Sequence, residues 1–249
     1  INCIDWHNNM KTLPTDIYDK FILGINDSHD ASAALVKNGK IICAISEERI
    51  QRVKSAGGFP KGAIKACLKF AKIQMKDIHY VAVAGNRAVP INILGLNCTM
   101  EIEDYIKIQE KIRKPQFYGG KINSFSDIFP NYKPKSKTYY SSKDIPLKET
   151  RELSLKEKKR IENYRLNFIS KNTINDISKI ITFDHHLCHI YYAYYASPFR
   201  NKKVTAVSLD AGGDGIYESI STFDKNSKHK RIHAGHDCII GPIYSIITL

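Results

Sequence analysis

The chain has 249 residues, 43% hydrophobic and 25% charged, with 38 Lys and Arg against 25 Asp and Glu. That is enough for one large domain or two small ones, of the composition ordinary for a soluble globular protein, and no apolar run approaches the ~20 residues that span a bilayer. The net charge of +13 does not imply nucleic acid: about half of the excess lies in 101–180, where Lys is interleaved with Ile, Asn, Ser and Tyr, with no Arg–aromatic stripe, as on a solvated basic surface.

Residues 1–20 are a lead. They start without Met, as expected of a processed chain or one cut from a longer frame, and lack the basic-then-apolar pattern of a signal peptide. Phe21–Ile25 is a short apolar run that ends in the polar turn Asn26-Asp27-Ser28-His29-Asp30. Ala31–Val36 follows, then Asn38-Gly39, a hairpin signal, and the return strand Ile41–Ile45. Ser46–Lys54, two carboxylates followed by three cations, reads by itself as a solvated element end. Behind Pro60, the apolar positions Ala63, Ile64, Cys67, Phe70 and Ala71 predict an amphipathic helix over 61–72, and Tyr80–Ala84 a buried strand. From 91 to 175 polar and basic residues dominate, and an insertion or peripheral subdomain with a surface helix over 154–170 is expected. Ile180–Phe183 predicts a strand, Asp184 a helix N-cap, and Ser197-Pro198 the stop of that helix near Ala196. Val204–Leu209 is the next strand, with shorter ones at 216–223 and 231–233. The six cysteines (Cys3, Cys43, Cys67, Cys98, Cys188, Cys238) stand singly, as free thiols of a cytoplasmic protein do.

Asp184-His-His-Leu-Cys-His189 is the sharpest chemical feature. On a helix His185 and His189 lie one turn apart on one face, as a shared metal ion requires, and paired imidazoles suit zinc or iron. The alternative is a helix start that merely carries three histidines. Asp210, at a strand end before Ala211-Gly212-Gly213-Asp214-Gly215, is the best third ligand, and the glycines let backbone N–H groups approach a phosphate. In the turn 27–30, His29 is the only side chain that titrates near neutrality, which makes it a natural general base. The alternative there is a structural turn capped by Asp and Ser.

Taken together, G-I-N-D-S-H-D-A-S-A-A-L, E-E-R-I-Q-R-V-K, G-G-F-P-K-G-A-I-K-A-C-L, F-D-H-H-L-C-H-I-Y-Y-A-Y-Y-A-S-P-F, L-D-A-G-G-D-G and G-P-I-Y-S-I-I-T resemble, in this order, the NodU/CmcH O-carbamoyltransferases over 21–86 and 180–249. The resemblance implies an α/β fold, the actin-like, ribonuclease-H-like mixed sheet with flanking helices, truncated before its second lobe. Over 21–249 this would be the N-terminal part of an ATP-dependent enzyme. That enzyme passes a carbamoyl group from carbamoyl phosphate, through carbamoyl adenylate made by a YrdC-like domain, to a hydroxyl of a sugar-like or natural-product acceptor. It further implies that His185, His189 and Asp210 bind iron and that Asp210 lies near the nucleotide phosphates. His29 would be the base, Asp27 would contact the acceptor, and Lys54 would meet ATP. Ala82 with the backbone at Gly212 and Gly213 would line the carbamoyl-adenylate pocket. The chain departs from the family pattern at Ala211, where Gly is usual, and at Ile239, where Ser is expected. A fourth metal ligand, the second lobe and the YrdC-like domain are expected outside these residues. The alternatives are a tRNA threonylcarbamoyl transferase-like enzyme and a non-catalytic nucleotide-binding fragment.

Overall fold

The structure is a computed structural model that describes residues 17–89, 99–141, 143–145, 153–238 and 240. Cys3, Cys98, Ile239 and the closing G-P-I-Y-S-I-I-T block lie outside the described residues. Three antiparallel strands open the fold: β1 (Phe21–Asn26), β2 (Ser32–Lys37) and β3 (Lys40–Ser46). Asn38 and Gly39 turn the second hairpin with both φ angles positive, as a two-residue turn between twisted strands requires. Helix α1 (Glu47–Gln51) and helix α2 (Lys61–Ala71) lead to β4 (Ile78–Ala84), which lies parallel to β1. β5 (Ile180–Phe183) adds in parallel to β4, and the sheet order is β3-β2-β1-β4-β5. The protein is therefore mixed α/β with a five-stranded mixed sheet, the arrangement that the actin-like resemblance implies.

Strand alternation decides which face is covered. Leu23, Ile25, Leu35, Val81 and Val83 point to one side and bury themselves with Ala63, Ile64 and Cys67 of α2. Gly24, Ala34, Ala44 and Ala82, on the other side, line an open depression of about 520 Å³.

Glu47 corrects the solvated reading of the E-E-R block. It is 1% exposed, and its carboxylate accepts the backbone N–H of Gly62 and Ala63 at 3.2 and 2.7 Å. Pro60, the N-cap of α2, offers no side-chain acceptor, so an anion from the preceding helix meets the unpaired N–H groups and the positive end of the dipole.

The segment after β4 divides. Helix α3 (Ile102–Ile108), a π-helical turn (Gln109–Arg113), helix α4 (Lys114–Tyr118) and helix α5 (Phe125–Ile128) surround a small cluster of Ile108, Ile112 and Phe125. Helix α6 (Leu155–Asn172) starts at a capping box in which Ser154 accepts from Glu157 N–H. The surface helix expected over 154–170 is present, with one face exposed and the other buried. Ile161 and Ile169, with Tyr140, Ile145 and Leu153, belong to the main core, and Arg165 between them is 3% exposed.

Helix α7 (His185–Tyr195) follows β5, and a second sheet of β6 (Val204–Gly213), β7 (Ile216–Phe223) and β8 (His229–Gly235) closes the described part as an antiparallel meander. α7 is pinned to this sheet by Ile190 and Tyr194, the latter stacked on Phe223 at 3.8 Å. Among the described residues, no helix is long and apolar enough to cross a membrane.

Candidate active site and metal centre

α7 begins at Asp184, whose carboxylate accepts the N–H of Leu187 at 3.0 Å. That cap marks where the helix starts, and the three histidines follow within its first five residues. His186 points inward and is fully buried; its Nε2 meets the carbonyl of Ile216 at 3.0 Å and its Nδ1 meets Ser208 Oγ at 2.9 Å. A carbonyl only accepts, so Nε2 carries the proton and Nδ1 accepts from Ser208. Burial pushes the His186 pKa down and keeps the ring neutral. His186 thus joins α7 to the second sheet and takes no part in the metal cluster.

His185 and His189 face the other way. Their Nε2 atoms are 3.0 Å apart, and Asp210 Oδ2 from β6 lies 2.6 Å from the first and 3.5 Å from the second. Donors about 2.1 Å from one ion stand about 3.0 Å apart at right-angle ligation and about 3.4 Å apart in a tetrahedron; the 3.0 and 3.5 Å separations match these values, and the 2.6 Å pair, a hydrogen bond, would open by about 0.4 Å to share an ion. Two imidazoles and a carboxylate on one side of that position leave further coordination positions open. Hydrogen bonding to Asp210 raises the pKa of His185 against the opposing effect of burial. Hydrogen bonds from His185 and then His189 hold the Asp210 carboxyl far below the usual carboxylate range.

The third candidate ligand, Asp210, arrives through a turn that the glycines shape. β6 bulges between Leu209 and Gly213, and the backbone returns to β7 at Ile216. At Gly213 an added Cβ would overlap the His185 ring, so this glycine is a seat for the imidazole. Gly212 has φ +134°, open only to glycine without strain. Gly213→Ala is expected to displace the His185 ring and weaken divalent-metal binding by at least about 10-fold. A metal titration matching the parent would show that the ring is not seated there.

His29 lies in the turn between β1 and β2. Its side chain is half exposed, and Nδ1 is 3.0 Å from Asp30 Oδ2. Asn26 shapes this turn: its amide donates to the carbonyls of His29 and Asp30, and its oxygen accepts the N–H of Ser28. His29, His185, Gly212 and Gly213 line one cleft of about 460 Å³, together with Asn26, Arg87, Tyr217 and His236.

Three other sequence-predicted residues stand apart from this cleft. Asp27 is 4% exposed; Arg165 Nε and Nη2 donate to its two oxygens at 2.8 and 2.5 Å, and the Tyr140 hydroxyl donates to Oδ2. Burial would raise its pKa, but the charge and hydrogen bonds of Arg165 outweigh that and leave it below the ordinary value. Ala82 lies on the open sheet face, in the neighbouring depression; Asn26 and Ala84 border both hollows. Lys54 is 83% exposed and pairs with Glu48 at 3.1 Å.

Asp214 and Arg165 were not legible as site-building residues. Asp214, 9% exposed, accepts the N–H groups of Asn86, Arg87 and His185. Arg165 donates to the carbonyls of Ala84 and Gly85 besides pairing with Asp27. The one available signal was spacing: Ile161, Arg165 and Ile169 fall four residues apart and mark an apolar stripe with a cation in its middle.

The family model for the carbamoyltransferase N-terminus matches residues 21–249. This chain belongs to that family. Over 229 residues it is 26% identical to the uncharacterized protein MJ1051 of Methanocaldococcus jannaschii, covering 91% of this chain and 29% of that protein. Over 234 residues it is 25% identical to the uncharacterized protein sll1178 of Synechocystis, covering 91% and 31%. The nodulation protein NolNO of Sinorhizobium fredii is 38% identical over 60 residues, 24% of this chain and 9% of that one. This carbamoyltransferase N-terminus spans about a third of the length of the relatives that it matches along most of its own. YeaZ from Pseudomonas aeruginosa aligns with 86% of this chain and 65% of that chain, at 8% identity and a TM-score of 0.36. The strand order, not that likeness, carries the fold assignment.

Proposed function

We propose that this carbamoyltransferase N-terminus serves an ATP-dependent O-carbamoyl transfer to a hydroxyl of a small-molecule acceptor. The observation that supports it most is one cleft that holds a candidate base, His29, beside His185 of a His-His-Asp cluster, in a chain of this family. Carbamoyl phosphate and ATP are the proposed co-substrates, and carbamoyl adenylate the donor, made by a YrdC-like domain outside these residues.

His29 is oriented for proton transfer. The Asp30 carboxylate can only accept, so Nδ1 carries the proton and Nε2 keeps its lone pair. Nε2 takes the acceptor's hydroxyl proton as the oxygen attacks the carbamoyl carbon, and AMP leaves with the bonding electrons of the cleaved C–O bond. A divalent metal, iron on the family resemblance and zinc by ligand chemistry, would offset the charge of the phosphate when bound to His185, His189 and Asp210. The backbone at Gly212 and Gly213 lines the nucleotide side, and exposed Lys54 can leave Glu48 for a phosphate. Ala82 keeps the neighbouring depression shallow for the carbamoyl end. Asp27 acts through the turn that it anchors rather than by touching the acceptor.

The test is carbamoyl transfer by the full-length enzyme, read as acceptor-bound carbamoyl from labelled carbamoyl phosphate. His29→Ala is expected to lower turnover by roughly 10²–10⁴-fold, the usual scale for loss of a general base, with metal content unchanged. Full turnover in that variant, with chemistry rate-limiting, would return His29 to a structural turn.

A further inference from the structure

We infer that Asp214 is a positioning residue for the metal centre: it clamps the main chain of His185 to the loop after β4 and so sets where the His185 imidazole meets the ion. The inference rests on the metal reading above.

Asp214 sits in the turn between β6 and β7 with φ +52°. Its Oδ2 accepts the N–H of His185 at 2.7 Å and of Asn86 at 2.8 Å, and its Oδ1 accepts the N–H of Arg87 at 2.8 Å. Three donors from two distant segments converge on one nearly buried carboxylate, the arrangement in which hydrogen bonds to a charged group are strongest. Helix capping alone does not require it, because Asp184 already serves Leu187 N–H as the cap of α7. What Asp214 adds is a hold on the one residue of that turn that both starts the helix and reaches the ion.

The geometry leaves His185 little freedom. Its backbone N–H is tied to Asp214, its ring rests on Gly213, and its Nε2 meets Asp210. Five consecutive residues of one turn therefore supply a ligand, a seat for a second ligand and the clamp on that ligand's backbone. Partners outside the coordination sphere usually orient a metal-bound histidine through its other ring nitrogen. Here Asp214 holds the main chain.

The clamp also reaches the proposed base. Asn86 and Arg87, held by Asp214 through their N–H groups, continue Ala84 and Gly85, whose carbonyls accept from Arg165. Arg165 in turn holds Asp27, two residues from His29. The loop 84–87 is thus a common support for the base turn and the metal helix, and Asp214 is its link to the metal side.

The test is a Co²⁺ titration of the full-length protein, followed by visible absorption and by metal analysis after gel filtration. Asp214→Asn keeps the shape and removes the charge and at least one acceptor. It is expected to weaken Co²⁺ binding by about 10–100-fold, the usual cost of losing an outer partner, and to shift the absorption bands at saturation. Asp184→Asn is the control, since it takes a negative charge, the partner of Arg231, from the same helix start without touching the His185 N–H, and it should leave the bands in place. If Asp214→Asn does not fold, as judged by circular dichroism, Asp214→Ser is titrated in its place, with the same expectation. Binding within twofold of the parent and unchanged bands would overturn the inference while leaving the metal site standing. So would an equal loss in Asp184→Asn, because the role would then be helix stability alone. A parent protein that takes up no Co²⁺ would overturn the metal reading and this inference with it.

Discussion

Asp210→Ala is expected to abolish divalent-metal binding at the proposed centre. Asp210 is the one anionic donor of the cluster; its Oδ2 lies 2.6 Å from His185 Nε2 and 3.5 Å from His189 Nε2. Without it, two imidazoles one helical turn apart remain, on a chain that is already strongly basic. The loss in affinity should exceed about 100-fold, the upper end of what removing an outer partner costs. His189→Ala should act in the same direction and also weaken nucleotide binding, because an ion near the phosphates would help to hold them. His29→Ala should do neither. Metal content by atomic absorption and nucleotide affinity by calorimetry separate the two classes. If Asp210→Ala retained the parent's metal, the ion would be held elsewhere.

Asp27→Asn should cost about 3–5 kcal/mol of stability, because it leaves the buried Arg165 guanidinium without its anion. For a chain of this length that lowers Tm on the order of 10 °C, measurable by calorimetry. Asp27→Leu combined with Arg165→Met should recover only part of the loss: the apolar pair carries no desolvation penalty, but it takes from the Tyr140 hydroxyl and the Ala84 and Gly85 carbonyls the partners they have in the parent. The pH dependence follows from the same pair. The folded-state pKa of Asp27 lies below its unfolded value. Its contribution is therefore complete above the unfolded carboxylate pKa of about 3.9 and is lost as pH falls through the folded value. The parent should lose stability in that acid window, and Asp27→Asn should show a shallower slope there. A single variant within 1 kcal/mol of the parent, by the rough scale of surface substitutions, would mean that the pair is not buried as described.

Much of the fold was legible because it is written in local patterns. The apolar runs of 21–46, the Asn38-Gly39 turn, the apolar stripe of 61–72 and the Asp184 cap each depend on neighbours a few residues away, and the corresponding elements lie within a residue or two of the expected bounds. The metal cluster was half legible for the same reason. His185 and His189 are one helical turn apart whatever the rest of the chain does, whereas Asp210 had to be brought in from another element.

What the tertiary structure alone decided concerns charges whose partners are far away in sequence. Glu47 and Glu48 are adjacent and chemically alike, yet Glu47 is buried on the N-terminus of α2 and Glu48 faces Lys54 at the surface. Arg165, in a helix rich in Lys and Glu, is buried because Asp27 lies 138 residues before it in a turn of the first sheet. Asp214 in a Gly-Gly-Asp-Gly string looks like any hairpin residue until Asn86 and Arg87, more than 120 positions earlier, deliver their N–H groups to it. The hydrophobic pattern along a chain states which face of an element turns inward. A buried charge is tolerated only where its counter-charge or its donors arrive from elsewhere, and only the folded chain brings them together.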